Sequence, residues 1–198
     1  MSIGWNEEIK KKFKYCGENV FIGHNTIFVN PDKVIIHDNV RIDPFCYISS
    51  QLEVGSFSRI TTHCVLSGRQ KIKMGKWSVI AYGTKLFTSS EDYTGNFGPI
   101  NEFWGKNKVF EEDIEIKDFA GVITNVTVLP GVIVPEGCMV GTNGYLTKNK
   151  KLEPWSIYID TDVHFLKHRN KESILKNVKD LSFYKDVALI KDDSLIYE

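Results

Sequence analysis

The chain has 198 residues, 42% of them apolar, and a formal net charge of zero from 25 basic and 25 acidic residues. This length suits one domain with an appendage, and the balanced charge favours neither nucleic-acid nor membrane-surface partners. No segment approaches the roughly 20 apolar residues of a membrane span, and the first residues lack a signal-peptide core. Four widely spaced cysteines indicate neither a zinc site nor a disulfide framework. We therefore expect a cytoplasmic protein with reduced thiols.

The N-terminal segment, residues 1–14, precedes the repeat that dominates the chain. We predict that it forms a cap with a short helix over residues 6–13. A repeat structure needs such a cap because its last coil otherwise exposes core and backbone edge.

From residue 15 to residue 150, a branched or otherwise apolar anchor recurs every six positions. The anchors are Cys16, Ile22, Phe28, Ile36, Ile42, Ile48, Val54, Ile60, Leu66, Met74, Ile80, Leu86, Ile116, Val122, Val128, Val134, Val140 and Leu146. A compact residue usually stands four positions later, and Cys46, Cys64 and Cys138 are among these compact residues. A helix would give a period of 3.6 and a strand a period of 2, whereas a period of six is typical of parallel β-helices. The sequence predicts an all-β fold of about six triangular coils with the anchors inside.

The spacing breaks after Phe28, Leu66 and Leu86, and each break follows the third anchor of a coil. Insertions are therefore predicted to leave the prism at one edge. The longest is the loop 87–113, which is rich in aromatic residues. Long loops on compact domains are commonly functional, and we interpret this loop as part of a binding site.

Residues 151–198 lie beyond the repeat and are predicted to form a C-terminal helix and tail. The segment 171–181 places Ile174, Val178 and Leu181 on one side of a short helix. The final residues, 186–198, are predicted to add extended structure.

The hexads of residues 15 to about 169 resemble those of the hexapeptide-repeat acyltransferases, which are built on a left-handed parallel β-helix. The segments VTVLPGVIVPEGCMVGTNGYLTK, EPWSIY and TSSEDYTG look like the branch that acetylates sugars, including nucleotide-linked amino sugars and surface polysaccharides such as O-antigen. The resemblance implies a homotrimer that binds acetyl-CoA in a groove between subunits. It also implies that a nucleotide-sugar acceptor lies near the long loop.

The family's usual base is absent from its position. In galactoside and maltose acetyltransferases, a histidine one position before VxxxPGV takes the proton of the sugar hydroxyl, and Asn125 stands there in this sequence. Asparagine only donates and accepts hydrogen bonds. His63 follows its anchor by three positions, as Asn125 does, so we expect both in one column two coils apart, roughly 10 Å. His63 is thus either a catalytic base or a surface histidine.

A second candidate is the acidic pair at the start of the long loop. Asp92 and Glu91 are suited to bind the ammonium of an amino-sugar acceptor, with Ser90 and Tyr93 as hydrogen-bond donors and Glu102 as a further partner. A neutral amine needs little help from a base, whereas a hydroxyl needs a real one. The missing histidine and the acidic pair together favour N-acylation.

The cofactor residues follow from the resemblance. Backbone amides near four residues are expected to hold the pantetheine arm and polarise the acyl carbonyl, and two cations are expected to meet the CoA phosphates. These residues are Gly121, Asn125, Thr142, Asn143, Lys148 and Arg169. The family's GNPA turn is replaced by DTDV at 160–163, which leaves the contacts to adenine open.

Two alternatives stay open. One is an O-acyltransferase that uses His63 as general base, and the other is a non-catalytic β-helix scaffold. A zinc site of the γ-carbonic-anhydrase kind is not expected, because the close HxxxxH pair that it needs is missing from the sequence.

Overall fold

The structure is a computed structural model that describes residues 6–92, 94 and 109–179. These residues form a parallel β-helix, which confirms the predicted fold class. Three sheets form the faces of a triangular prism, and each coil contributes one short strand to every face. A helix, α1 (Glu7–Lys10), precedes the first coil.

Each sheet stacks strands from successive coils. The first sheet contains, in spatial order, β1 (Tyr15–Cys16), β4 (Val34–Ile36), β7 (Gln51–Val54), β10 (Lys71–Met74), β15 (Ile114–Ile116) and β18 (Ile133–Val134). The second contains β2 (Phe21–Ile22), β5 (Arg41–Ile42), β8 (Arg59–Ile60), β11 (Val79–Ile80), β16 (Gly121–Val122), β19 (Met139–Val140), β21 (Ser156–Ile159) and β22 (His164–His168). The third contains β3 (Ile27–Phe28), β6 (Tyr47–Ile48), β9 (Val65–Ser67), β12 (Lys85–Phe87), β17 (Thr127–Val128) and β20 (Tyr145–Leu146).

The predicted anchors form the core. Every anchor from Ile22 to Leu146 is buried, and Cys16, in the first coil, is partly buried. In-register pairing stacks each anchor on its equivalents, as Ile42 stacks on Ile60 and Ile60 on Ile80. Each such side chain contributes about 1.5–3 kcal/mol of burial free energy. The core is therefore one continuous apolar column, as the repeat predicts.

The corners of the prism use left-handed backbone conformations. A positive φ recurs three residues after the anchor, for example at Asn125 (φ 58), Phe119 (φ 59) and His63 (φ 60). This conformation costs a non-glycine residue about 1–2 kcal/mol, and asparagine tolerates it best. Bulky residues at such corners are held there by the coils on either side.

The N-terminal helix is shorter than predicted. The helix α1 ends at Lys10, whereas the sequence predicts helix as far as residue 13. The chain turns there because Phe13 inserts into the core, with its ring centroid 4.8 Å from that of Phe28. The side chain of Asn6 caps the helix by accepting from the amide of Ile9.

The three insertions leave at one edge, as predicted, between the third and first sheets. The ends of the long loop pair with each other as an antiparallel ribbon, β13 (Ser89–Glu91) with β14 (Val109–Glu111). The prediction of a plain loop over 87–113 misses this ribbon. Residues 93 and 95–108, between its strands, lie outside the described residues.

The stacking continues past the predicted end of the repeat at Leu146. The strand β21 pairs in parallel with β19, and Tyr158, twelve residues after Leu146, is 5% exposed. The strand β22 then folds back antiparallel to β21. A second helix, α2 (Lys171–Lys179), follows where a helix is predicted, while the predicted tail strands over 186–198 lie outside the described residues. Among the described residues, no helix has the length and hydropathy needed to cross a membrane.

Candidate functional site

The predicted histidine column exists, and it lies at a corner rather than on a face. Strands β9, β12 and β17 are successive neighbours in the third sheet, so the turns before them stack and place His63 two coils from Asn125. Both residues are exposed and have positive φ. The ring of Phe45, one coil before His63, lies 5.5 Å from the imidazole. Corner positions turn these side chains outward, where a ligand can reach them.

Gly83 occupies the coil between His63 and Asn125. A Cβ atom there would lie 2.5 Å from Oδ1 of Asn125, so the absent side chain makes room for the carboxamide. The neighbouring Tyr82 is 51% exposed. The column therefore dips at Gly83 into a notch that the carboxamide of Asn125 partly fills, and His63 and Tyr82 belong to turns of the same corner.

The acidic candidates lie on the ribbon at another corner. Glu91 stands opposite Val109 and Ser90 opposite Phe110 in the antiparallel ladder. Oδ1 of Asp92 accepts from the amide of Thr94 at 3.0 Å and from its hydroxyl at 2.5 Å. The carboxylate thus closes a tight turn at the end of β13, a geometry that an asparagine side chain also permits.

Sequence reasoning missed the contacts that hold the ribbon. Nε2 of Gln70 donates to the carboxylate of Glu111 at 3.1 Å, and Nη1 of Arg69 lies 3.5 Å from the same carboxylate. The amide of Gln70 also donates to the hydroxyl of Thr88. The signal was present in the acidic run EED at 111–113 and in the insertion at 68–70, which leave the prism at the same edge.

A cleft of about 680 Å³ opens beside the base of the ribbon, on the first sheet. Its walls include Lys71, Lys73, Glu112 and Glu115, so it combines both signs of charge. The cleft faces away from the corner that carries His63. The hexad repeat does not predict this cleft.

The four proposed cofactor amides are not equally available. The N–H groups of Gly121, Asn125 and Asn143 donate to the carbonyls of Cys138, Tyr82 and Thr124 at 2.8–2.9 Å. Stacking of the coils already uses these three N–H groups, so a pantetheine arm near these residues must bond to other groups. Within the described ranges, the amide of Thr142 donates to no protein group, and its residue is exposed at the corner.

The two proposed cations also have partners. Lys148 forms an ion pair with Glu112 on the ribbon edge. Nη1 of Arg169 donates to the carbonyls of Phe119 and Gly137 at 2.8 and 2.6 Å, and burial lowers the pKa of this guanidinium. Arg169 therefore braces the corner between the first and second sheets, and any contact with CoA must use its remaining N–H groups.

The predicted residues thus occupy three different corners of one prism. His63, Asn125, Thr142 and Asn143 share the corner between the second and third sheets, whereas Asp92 and Lys148 lie at the insertion edge, and Arg169 lies at the third corner. Tyr93 and Glu102 lie outside the described residues. Residues that share a corner are stacked along the prism axis. The carboxylate of Asp92 and the imidazole of His63 lie at different corners, so they do not meet within one chain.

Comparison with models of protein families found no match. The chain is similar to a dTDP-4-amino-4,6-dideoxy-D-glucose acyltransferase from Escherichia coli, with 28% identity over 149 residues, which are 70% of this chain and 76% of that protein. It is also similar to the crystal structure of AntD, an N-acyltransferase from Bacillus cereus, in complex with dTDP and 3-hydroxybutyryl-CoA. That likeness has a TM-score of 0.80 and 28% identity, and it covers 95% of this chain and 100% of AntD.

A variant of AntD in complex with dTDP-4-amino-4,6-dideoxyglucose and coenzyme A is 30% identical, with a TM-score of 0.78. The match covers 91% of this chain and 96% of the variant. The hexad repeat and the parallel β-helix agree with this likeness across nearly the whole chain. The chain therefore belongs to the hexapeptide-repeat acyltransferase family.

Proposed function

We propose that this enzyme transfers an acetyl or other short acyl group from CoA to the amino group of a nucleotide-linked amino-deoxysugar. The observation that carries the proposal is the likeness, over almost the full length, to an N-acyltransferase crystallised with such a sugar and with coenzyme A. Asn125 stands where the related enzymes have their histidine base. Without that base, an amino group is a better acceptor than a hydroxyl.

The chemistry follows from the acceptor. A neutral amine attacks the thioester carbonyl directly, the carbon–sulfur bond breaks, and the departing thiolate takes the proton that the amine loses. A sugar hydroxyl would instead need a base to remove its proton during attack. Asn125 cannot supply that base, and His63 lies two coils away.

We assign the acceptor side to the ribbon. The carboxylate of Asp92 binds the ammonium of the acceptor and orients the amine once that group has lost a proton to solvent, with Glu91, Ser90, Tyr93 and Glu102 as further contacts to the sugar or nucleotide. A charge-assisted contact of this kind is about twice as strong as a neutral hydrogen bond. Its removal should therefore weaken acceptor binding more than the binding of the acyl donor.

The corner column supplies the donor side. The amide of Thr142, which stacking of the coils leaves available, is suited to polarise the acyl carbonyl. Asn125 and Asn143 line the same corner, Gly121 lies in β16 of the adjoining sheet, and Lys148 and Arg169 remain the proposed contacts to CoA phosphates. His63 borders the notch and helps to orient the amine through a hydrogen bond, a contact that an asparagine side chain can also make.

The separation of these groups over different corners supports a site between subunits. We propose a homotrimer in which the ribbon of one prism reaches the corner column of its neighbour. The outward face of the third sheet carries Ile27, Tyr47 and Tyr145, which are 56%, 41% and 48% exposed. Lys85 and Thr127 interrupt this face between Tyr47 and Tyr145, and the exposed apolar side chains on either side are of the kind that another subunit covers. Closed cyclic assembly is the common outcome.

No acyl-enzyme is needed in this scheme. Cys46, Cys64 and Cys138 are buried in the prism, at 2% exposure or less. Burial raises the pKa of the Cys138 thiol to about 12, so this thiol is not a ready nucleophile. Direct transfer from CoA to the amine is the simpler route.

The proposed setting is the cytoplasm, where nucleotide sugars for surface polysaccharide or lipopolysaccharide are made. The product would be an N-acylated nucleotide sugar. A glycosyl transfer of that sugar must then follow in the pathway, because the nucleotide diphosphate remains attached as a leaving group.

Thiol release from acetyl-CoA, measured with a panel of nucleotide-linked 4-amino and 3-amino deoxysugars, tests the proposal. We expect turnover with an amino sugar, a large loss in Asp92→Asn, which keeps the turn to Thr94, and activity retained in His63→Asn. Asparagine suits the positive φ of residue 63, so this variant removes the imidazole without backbone strain.

Other outcomes would point to the alternatives. Turnover with a hydroxyl acceptor only, abolished in His63→Asn, would establish O-acylation. Failure of acetyl-CoA to stabilise the protein would favour a scaffold, since a ligand at 100 times its Kd adds about 2.7 kcal/mol to the free energy of unfolding.

A further inference from the structure

Asp43 is a buried carboxylate that the scheme above does not use. Its side chain is only 7% exposed, and it stands in the turn after β5. Nε of Arg41 donates to Oδ1 at 2.6 Å, while Nε and Nη2 of Arg59, from the next coil, donate to Oδ2 at 3.2 and 2.7 Å. One carboxylate thus holds two guanidinium groups from adjacent coils.

The two arginines exceed what Asp43 needs for charge balance. Asp43 carries one negative charge and the two guanidinium groups carry two positive charges, so these three side chains together have a net charge of +1. Both arginine side chains remain open to solvent, at 43% and 44% exposure. Guanidinium groups whose orientation is already fixed lose little entropy when they bind an oxyanion in a bidentate manner.

Their place in the sheet is also distinctive. In the parallel strands of the second sheet, the outward position before each anchor is otherwise uncharged. The residues there are Phe21, Val79, Gly121, Met139 and Ile157. The positive charge is therefore confined to two neighbouring coils of this face.

Exposed aromatic rings stand at the corner beside these coils. Phe45 lies two residues after Asp43 and is 55% exposed, and its ring lies beside His63. Tyr82, two coils beyond Phe45, is 51% exposed. A pair of fixed guanidinium groups next to a ring platform matches the two parts of a nucleoside diphosphate, an anion of two phosphates and a flat base that stacks on aromatic side chains.

We propose that Arg41 and Arg59, oriented by Asp43, bind the diphosphate of the nucleotide-linked substrate, and that Phe45 stacks on its base. This inference rests on the proposed function for the sugar, but the nucleotide site can be tested without turnover. It places the nucleotide beside the coils that contain β5 and β8. The sugar then points along the corner column toward the notch at Gly83.

The first experiment measures the Kd of dTDP and of acetyl-CoA by calorimetry for the wild type, Arg41→Gln, Arg59→Gln and Arg59→Lys. Each lost charge-assisted contact should weaken dTDP about 10-fold to 100-fold and leave acetyl-CoA unchanged. Arg59→Lys keeps the charge beside Asp43 but loses the fork, so it should fold and still bind dTDP more weakly. Lys117→Gln, at an exposed lysine on another face, is the charge-matched control.

The second measurement needs no substitution. Phenylglyoxal modifies accessible arginines, and mass spectrometry of the peptides reports each site in the wild-type protein. We expect dTDP to protect Arg41 and Arg59, whereas acetyl-CoA at the same concentration leaves them reactive.

Equal affinity of dTDP for the wild type and the arginine variants, or no protection of the two peptides, would overturn the inference. The same holds if the wild type binds no dTDP. Turnover with an unchanged KM in the variants would leave the proposed function standing and remove this site. If dTDP protects the two arginines and its binding depends on them, but no amino sugar is turned over, the nucleotide site stands and the proposed function fails.

Discussion

Substitution of Arg169 distinguishes a residue that stabilises the fold from one that binds a ligand. Its guanidinium donates to the carbonyls of Phe119 and Gly137, which belong to neighbouring coils at the same corner. Its Cζ lies 5.8 Å from the ring centroid of Trp155. We predict that Arg169→Met destabilises the fold because both carbonyls lose a charged donor.

The magnitude follows from these contacts. Hydrogen bonds from a charged donor contribute about 1.5–3 kcal/mol each, and the lower value applies because the residue is only half-buried. Two such bonds and a cation–π contact of about 0.5 kcal/mol give a loss of about 3.5 kcal/mol. For a chain of this length that loss lowers Tm by about 7–14 °C. Arg169→Lys should lose part of this, because an ammonium lacks the planar fork.

Urea unfolding measures the loss, and calorimetric titration with acetyl-CoA gives the second readout. A brace role predicts lower stability with an unchanged Kd for acetyl-CoA at a temperature where the variant is folded. A change in stability within about 0.5 kcal/mol, as at ordinary surface sites, would refute the reasoning. A tenfold weaker Kd for acetyl-CoA would instead support the contact with CoA phosphates that the resemblance implies.

Two further predictions concern the same part of the prism. Gly137→Ala should cost about 3 kcal/mol in urea unfolding, because the new Cβ would lie 2.3 Å from the ring of Trp155 at a φ of 68°. Gly131→Ala is the matched control at another corner, where the Cβ would meet the ends of two flexible side chains, the carboxylate of Glu112 and Cδ of Lys148. Equal costs for the two would contradict the role of the ring. For Cys138, burial raises the thiol pKa from 9.0 to about 12, so the unfolded chain loses this proton first and the free energy of unfolding should fall as pH rises from about 9 to about 12. Cys138→Ser, which places a serine in the column of Ser58, Ser78 and Ser156, should flatten this decline. An unchanged slope would show that other groups cause it.

The candidate site was predictable only in part. The count of three residues after an anchor places His63 and Asn125 in one column, and the strand order confirms this. The same count does not reveal that the position is a corner with positive φ, because that depends on how each coil bends. It also does not reveal that the amide of Asn125 is already bonded to Tyr82.

Long-range contacts account for most of what the sequence did not indicate. Gln70 and Glu111 are 41 positions apart and meet because both insertions leave at one edge. Arg169 lies 50 positions from Phe119, which it contacts only because β22 folds back beside β21. No local pattern specifies such pairs.

The sequence alone determined the architecture, because a period of six in the anchors has one physical solution in which every apolar side chain points inward and stacks on its equivalents. It also determined the missing histidine at Asn125, since that depends only on which residue stands in the motif. The tertiary structure decided which backbone amides remain free, how Asp43 orients Arg41 and Arg59, and that the ribbon and the histidine column lie at different corners. These properties arise between coils, where residues far apart in the chain share one set of hydrogen bonds, and so the spacing along the chain does not encode them.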